Sequence, residues 1–423
     1  MKGFLKLLKL FMASAVIGIL VALMICLYKF CAHHIIHISH SGYSILRENL
    51  WFLPIVLAAL FGISFLLPKI YNRFENLKGG GIPNAILAAK GKIRLSPIID
   101  SVGAFVMSLF SFLLGLPLGN EGPCVQMGAA ISSGVGKICT RDDETQKALV
   151  SSGASAGFSA AVGGGVSGVC FLFDDIEHHP KFSAVFCSAV SSVTCAVLMR
   201  VICPLFNLSA SIFPVQSLPD FSIKDIWIAF LVGGVFSAFS IGFLKLYKLL
   251  RAFFTKALFK IPAQYKIFGV LTVCFLLGLV SFSFISTGHE FASELFVAVA
   301  PLGLVLAAIV IRSVLTLSAN INSLSGGTFI PILSIGAALG SLIFIGCSSF
   351  LGTEYYPLVL MLSVVACIAS MMKAPFIAVA FALETFLCPQ YIPFIIVASG
   401  VSYLLPTLLK IRSLTEEAVE SKK

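Results

Sequence analysis

Long apolar runs, almost free of charge, recur from one end of this chain to the other, and glycine or proline breaks or bounds them. The runs at 11–28, 51–67, 226–244, 267–285 and 297–311 hold no Asp, Glu, Lys or Arg. Each approaches the ~20 residues that an α-helix needs to cross a bilayer. Roughly ten to twelve segments of this kind can be counted, some short enough to enter and leave by the same face. Of the 423 residues, 58% are hydrophobic and 11% charged, against about 25% charged in soluble domains. No soluble fold hides that much apolar surface, so the chain reads as an all-α polytopic membrane protein.

The net charge is +10, and Lys and Arg gather at the segment ends 2–9, 73–94, 245–260 and 410–423. Cationic loops of this kind stay on the cytoplasmic side, which places both termini there. No aromatic-interleaved basic patch accompanies them, so nucleic acid is not expected as a partner. The basic start before run 11–28 has no small-residue cleavage site after it and reads as a retained first helix. The 12 Cys lie mostly inside apolar runs without a CxxC pair and read as small buried hydrophobes. His33–His34 and His178–His179 fall near segment ends. Neither a metal site nor a cofactor is expected. No HExxH set is present, so the chain does not read as an enzyme.

The two halves carry matching breaks. Gly119-Asn120-Glu121-Gly122-Pro123 is followed, after four residues, by Gly128-Ala129; Gly327-Thr328-Phe329-Ile330-Pro331 is followed, after four, by Gly336-Ala337. Further on, Gly165 precedes Asp174 by nine residues, as Pro375 precedes Glu384. The offset from Pro123 to Gly165 is 42 residues and from Pro331 to Pro375 is 44. Two coincidences at matched offset imply duplication, with repeat one over about 10–215 and repeat two over about 222–410, meeting in the polar stretch 217–225. Duplicated membrane halves commonly build a transport site where they meet. A proline in the first helical turn costs little, because its missing N–H has no partner there anyway. So 79–83, 119–123 and 325–331 each read as a loop that starts a helix at membrane depth. Such starts present free N–H groups and partial positive charge, and several aimed at one point make an anion site. The alternative is that these glycines only allow close helix packing. Glu121, a carboxylate at such a start, is costly in a membrane without a role or a partner. It either competes with an anion for the helix end, coupling anion to proton, or simply caps the helix.

At these residues the chain resembles the CLC family of chloride channels and proton-coupled anion antiporters. The family signatures GSGIP, GREGP and GxFxP have their counterparts in Gly79-Gly80-Gly81-Ile82-Pro83, Gly119–Pro123 and Gly327–Pro331. The stretch 153–161 with Phe171–Asp175, and Met372–Pro375 with Leu383–Glu384, are similar to the family as well. The resemblance covers about residues 50 to 400. It implies the CLC fold, with two inverted-topology repeats of broken and re-entrant helices in one transmembrane domain over 1–412. It also implies a homodimer with one pathway per subunit. The remainder, 413–423, is expected as a short charged cytoplasmic tail, frayed and solvated, with no CBS domain. Gly80 stands where the family has a chloride-binding serine, and Asn120 where it has an arginine. Both departures resemble the fluoride-exporting CLC-F branch of bacteria, which implies an inner-membrane fluoride/proton antiporter; a chloride/proton antiporter or passive chloride channel is the alternative. On this resemblance Glu121 is gate and proton carrier. Gly80, Gly81, Ile82, Asn120, Gly122, Thr328, Phe329 and Ile330 line the anion path. Asp175 corresponds to an inner proton-transfer residue, and Tyr403 to the central anion-coordinating tyrosine. Asp174 and Glu384 are expected to bond backbone N–H groups or bases such as Arg312 or Lys373, and Asp100 to cap a helix.

Overall fold

The computed structural model describes residues 2–208, 213 and 221–422; part of the expected junction at 217–225 lies outside them. The described residues form seventeen α-helices. The first half holds α1 (Lys2–Glu48), α2 (Leu53–Arg73), α3 (Ile82–Ala89), α4 (Ile99–Leu113), α5 (Glu121–Cys139), α6 (Asp143–Val162), α7 (Gly165–Phe171) and α8 (Phe182–Ile202). The second holds α9 (Trp227–Ala252), α10 (Ala263–Val280), α11 (His289–Val297), α12 (Leu302–Ile321), α13 (Phe329–Cys347), α14 (Tyr356–Met371), α15 (Pro375–Phe386), α16 (Ile392–Leu408) and α17 (Leu414–Ser421). Among the described residues, nine helical stretches are long and apolar enough to cross a membrane, and α4 and α15 are shorter apolar helices. The span containing α2 is only 17% buried and that containing α14 is 83% buried, so α2 faces lipid while α14 sits in the protein core.

Apolar side chains alone do not drive helices together in lipid, so close backbone approach must. Between α5 and α6 this approach is extreme. A Cβ on Gly128 would lie 2.1 Å from the Gly153 carbonyl oxygen, and one on Gly153 would lie 2.3 Å from that of Gly128. Only glycine fits at either position. The small residues of α6 therefore do for packing what bulk does in a soluble core.

The two halves are latched reciprocally. Asp174, just after α7 in repeat one, accepts a hydrogen bond from the Ile377 N–H (2.8 Å) in the first turn of α15. Glu384, at the end of α15, accepts from the Val166 and Ser167 N–H groups (2.7 and 2.9 Å) and from the Ser167 hydroxyl (2.6 Å) at the start of α7. Each acid thus satisfies orphan N–H groups of the other repeat, and the exchange is the mark of a two-fold relation. Of the expected partners, backbone N–H groups are found. Arg312 is engaged elsewhere: fully buried, it donates to the Ser334 hydroxyl and to the carbonyls of Ser283, Ile285 and Ser286. Lys373 pairs with Glu416 at 3.5 Å. Asp100 lies in the first turn of α4, not at its cap, and accepts from the Ser96 N–H (2.6 Å) and the Asn76 amide (3.0 Å).

The frayed, solvated tail expected after residue 412 is corrected by the structure. Ser413 caps α17 in a capping box with Glu416, which supplies the orphan N–H groups with partners. Glu417 meets Arg251 at 2.9 Å and Lys248 at 3.8 Å, and Leu414 is buried. The short charged helix is folded back against α3 and α9.

Candidate functional site

Three helix starts converge, and backbone makes the junction. Gly119 and Gly327 exchange both hydrogen bonds, at 2.6 and 2.7 Å, as an isolated antiparallel bridge. That bridge ties the loop before α5 to the loop before α13. The Gly79 N–H donates to the Ser323 carbonyl at 3.0 Å, and the Ser325 N–H donates to the Tyr71 hydroxyl at 3.2 Å, which anchors the loops before α3 and α13. A Cβ on Gly122 would fall 1.6 Å from the Gly80 carbonyl oxygen, so α3 can reach α5 only because residue 122 has no side chain. Gly81 takes a φ of 80°, a region open mainly to glycine, and this turns the chain into Ile82 at the start of α3. All eight residues of that helix are buried.

Glu121 occupies the middle of this junction. It is the first residue of α5 and is fully buried. Its Oε2 lies in the space that side chains on Gly119 and Gly327 would take, 2.3 and 2.8 Å from their ideal Cβ positions. The N–H groups of Glu121 and Ile330 are its nearest donors, but neither carboxylate oxygen has a hydrogen bond of good geometry among the described residues. A capping carboxylate would have one. The carboxyl group rests between two helix starts, within reach of their partial positive charge. Asn120, at the cap of α5, makes no side-chain cap bond, and its Oδ1 is buried without a partner.

On the α17 side of this junction opens a cavity of about 260 Å³, lined by Gly79, Gly80, Asn320, Thr328, Arg251 and Thr415 among others. Thr328 is the cap residue of α13 and makes no cap bond, leaving its hydroxyl to the cavity. Phe329 and Ile330, the first two residues of α13, are buried. The Phe329 ring stands edge-on to Phe158 and Phe381, at 5.4 and 5.9 Å. The structure thus brings Gly80, Gly81, Ile82, Asn120, Gly122, Thr328, Phe329 and Ile330 around Glu121.

Two expected residues lie apart. Asp175 and Tyr403 line a second cavity of about 710 Å³, together with Asp174, Lys90, Lys373 and Glu416. Tyr403 sits within α16 and lines the Asp175 cavity, not the one at the three helix starts. Thr415, in the first turn of α17, lines both cavities and forms the wall between them. Sequence reasoning missed Thr415 by dismissing the tail. It missed Asn320 too, although an amide at the end of the apolar α12, seven residues before Gly327, was a readable signal. Tyr71, the anchor for Ser325, carried no such signal.

The family described as voltage gated chloride channel matches residues 63–407 of the chain. Curated relatives include the H(+)/Cl(-) exchange transporter ClcA of Klebsiella pneumoniae (strain 342), 27% identical over 303 residues, which cover 69% of this chain and 62% of that protein. The transporter of the same name from Yersinia pestis bv. Antiqua (strain Angola) is 27% identical over 318 residues, 73% of this chain and 64% of that one. The chain thus spans less than two thirds of the length of these relatives. Among solved structures, a slow cyanobacterial Cl-/H+ antiporter superposes with a TM-score of 0.85 at 19% identity, covering 98% of both chains. A CLC-type fluoride/proton antiporter superposes with 0.76 at 18% identity, covering 95% of this chain and 96% of that one. At such identities the superpositions speak for the fold alone. With the matched residues spanning all but the ends, and the three helix starts meeting inside them, the chain belongs to the voltage gated chloride channel, or CLC, family.

Proposed function

We propose that the chain is a proton-coupled anion antiporter that exports fluoride in exchange for protons. Each subunit of a homodimer carries its own pathway. One observation supports this most: the Glu121 carboxylate lies unpartnered where three helix starts meet. A carboxylate there holds the anion's place when charged and frees it when protonated, so a single site handles both ions in turn. Gly80, Gly81, Ile82, Asn120, Gly122, Thr328, Phe329 and Ile330 form the anion path. Asp175 is the inner port for protons, from a polar cavity that α17 separates from the anion side. The loss of a side chain at Gly80 and the neutral Asn120 favour fluoride. The exposed apolar residues Val166, Phe376 and Ile396 on α7, α15 and α16 offer the dimer face. The protein sits in a bacterial inner membrane with both termini cytoplasmic.

The second reading is chloride/proton exchange, favoured by curated relatives named H(+)/Cl(-) exchange transporters. A passive chloride channel differs from both in moving no protons. Efflux from proteoliposomes loaded with equal fluoride and chloride separates these readings. Fluoride is expected to leave at least about tenfold faster, a difference of about 1.4 kcal/mol between barriers. Chloride leaving at an equal or greater rate would remove the fluoride assignment and leave chloride exchange.

A further inference from the structure

Gly80 leaves a gap in a wall that also carries Asn320, Ser323 and Thr328. A side chain beginning there would meet the Gly326 carbonyl oxygen at 3.3 Å and the Asn320 side-chain nitrogen at 3.9 Å. The Asn320 amide therefore lies near the volume that residue 80 does not fill, and both residues line the 260 Å³ cavity on the α17 side of the junction. Asn320 reaches it from the last turn of α12. The turn that follows engages the backbone carbonyls of that helix end. Asn322 N–H donates to the Ser318 carbonyl, Leu324 N–H to that of Ala319, and Ser323 N–H to that of Asn320 itself. The nearby Asn322 amide is committed as well, to the Ser318 carbonyl at 2.9 Å.

The cations of the same cavity are engaged. Arg251 meets Glu417 at 2.9 Å, and Lys422 donates to the Lys78 carbonyl and the Asn84 side-chain oxygen. What the cavity presents on the Gly80 side is a neutral amide with two N–H donors, across from the Thr328 hydroxyl.

We infer that Asn320 is a specificity-determining anion ligand, whose side-chain amide donates to a small, strongly hydrated monovalent anion in the space left open by Gly80. The assignment rests on the anion-pathway reading of this site. A neutral donor replaces part of the hydration shell without adding fixed charge, so the anion can bind and still leave. With no side chain at residue 80, the donor approaches from one flank only.

The test uses full-length protein, with fluoride and chloride as probes, in calorimetric binding and in proteoliposome flux. Asn320→Ala is expected to weaken fluoride binding about tenfold and to raise the half-saturating concentration while maximal turnover changes less than about twofold. Asn320→Asp has the same shape and so tests the residue even if the alanine variant folds poorly; its carboxylate is expected to weaken binding more than alanine does, increasingly so as pH rises. Gly80→Ser added to Asn320→Ala returns a hydroxyl to the gap and is expected to recover halide binding, shifted toward chloride. A merely structural Asn320 would not be rescued in this way. Fluoride binding by Asn320→Ala and Asn320→Asp equal to wild type would overturn the assignment while leaving the pathway intact. Wild-type protein that binds and moves neither halide would overturn the pathway, and Asn320 with it.

Discussion

At the scale of single residues, absence of a side chain does as much as presence. Gly122 lies under the Gly80 carbonyl at a distance no Cβ tolerates, so Gly122→Ala must push α3 away from α5. Overpacking of this kind costs about 1–3 kcal/mol. The variant is expected to fold with a lowered melting temperature and to lose most anion flux, because one of the three helix starts leaves the junction. Flux at the wild-type level, measured in liposomes, would show that the close approach is not needed for transport. Much of this was legible: glycines and first-turn prolines marked the three loops, and a carboxylate at membrane depth marked Glu121. Asn320 was not read, because an amide ending an apolar helix usually bonds a nearby carbonyl. Only the fold shows that the carbonyls there are already taken. Thr415 of α17, in the charged tail, reaches the cavity as well.

At the scale of elements, repeat symmetry is made of hydrogen bonds. The nine-residue spacing to Asp174 and to Glu384 was visible in the sequence, but the crossing of partners was not. Each acid is nearer in sequence to its own repeat than to the helix start it serves, 217–218 positions away for Glu384 and 203 for Asp174. Glu384→Ala leaves two N–H groups and a hydroxyl of α7 without their acceptor. An unsatisfied buried donor costs about 1–3 kcal/mol, so a clear fall in thermal stability in detergent is expected. Glu384→Gln, which keeps an acceptor oxygen, should fall less. Equal stability of Glu384→Ala and wild type would mean that the latch is ornamental. The tail shows the same limit on local reading. Residues 413–423 look solvated from their charges alone, yet those charges meet Arg251, Lys248 and Lys373, and the helix they build divides two cavities.

At the scale of the whole molecule, the proposed reading has one small site couple two ions without any fixed positive charge at its centre. On that reading helix starts from both repeats supply attraction for an anion, and the carboxylate that competes with it carries the proton. The membrane class and the duplication followed from apolar runs broken at matched offsets, and the fold followed from the resemblance to the CLC family. The identity of the anion does not follow from that pattern, because selectivity depends on a few donors at the junction and not on the helices that carry them. The central claim is that Glu121 couples the two ions. It is tested most directly by imposing a fluoride gradient on proteoliposomes and recording proton movement with a pH electrode. Wild-type protein is expected to drive protons against the fluoride flow. Glu121→Gln, fixed in the form of the protonated side chain, is expected to move no protons while leaving the anion site occupied. Proton movement by Glu121→Gln at the wild-type rate would contradict the account.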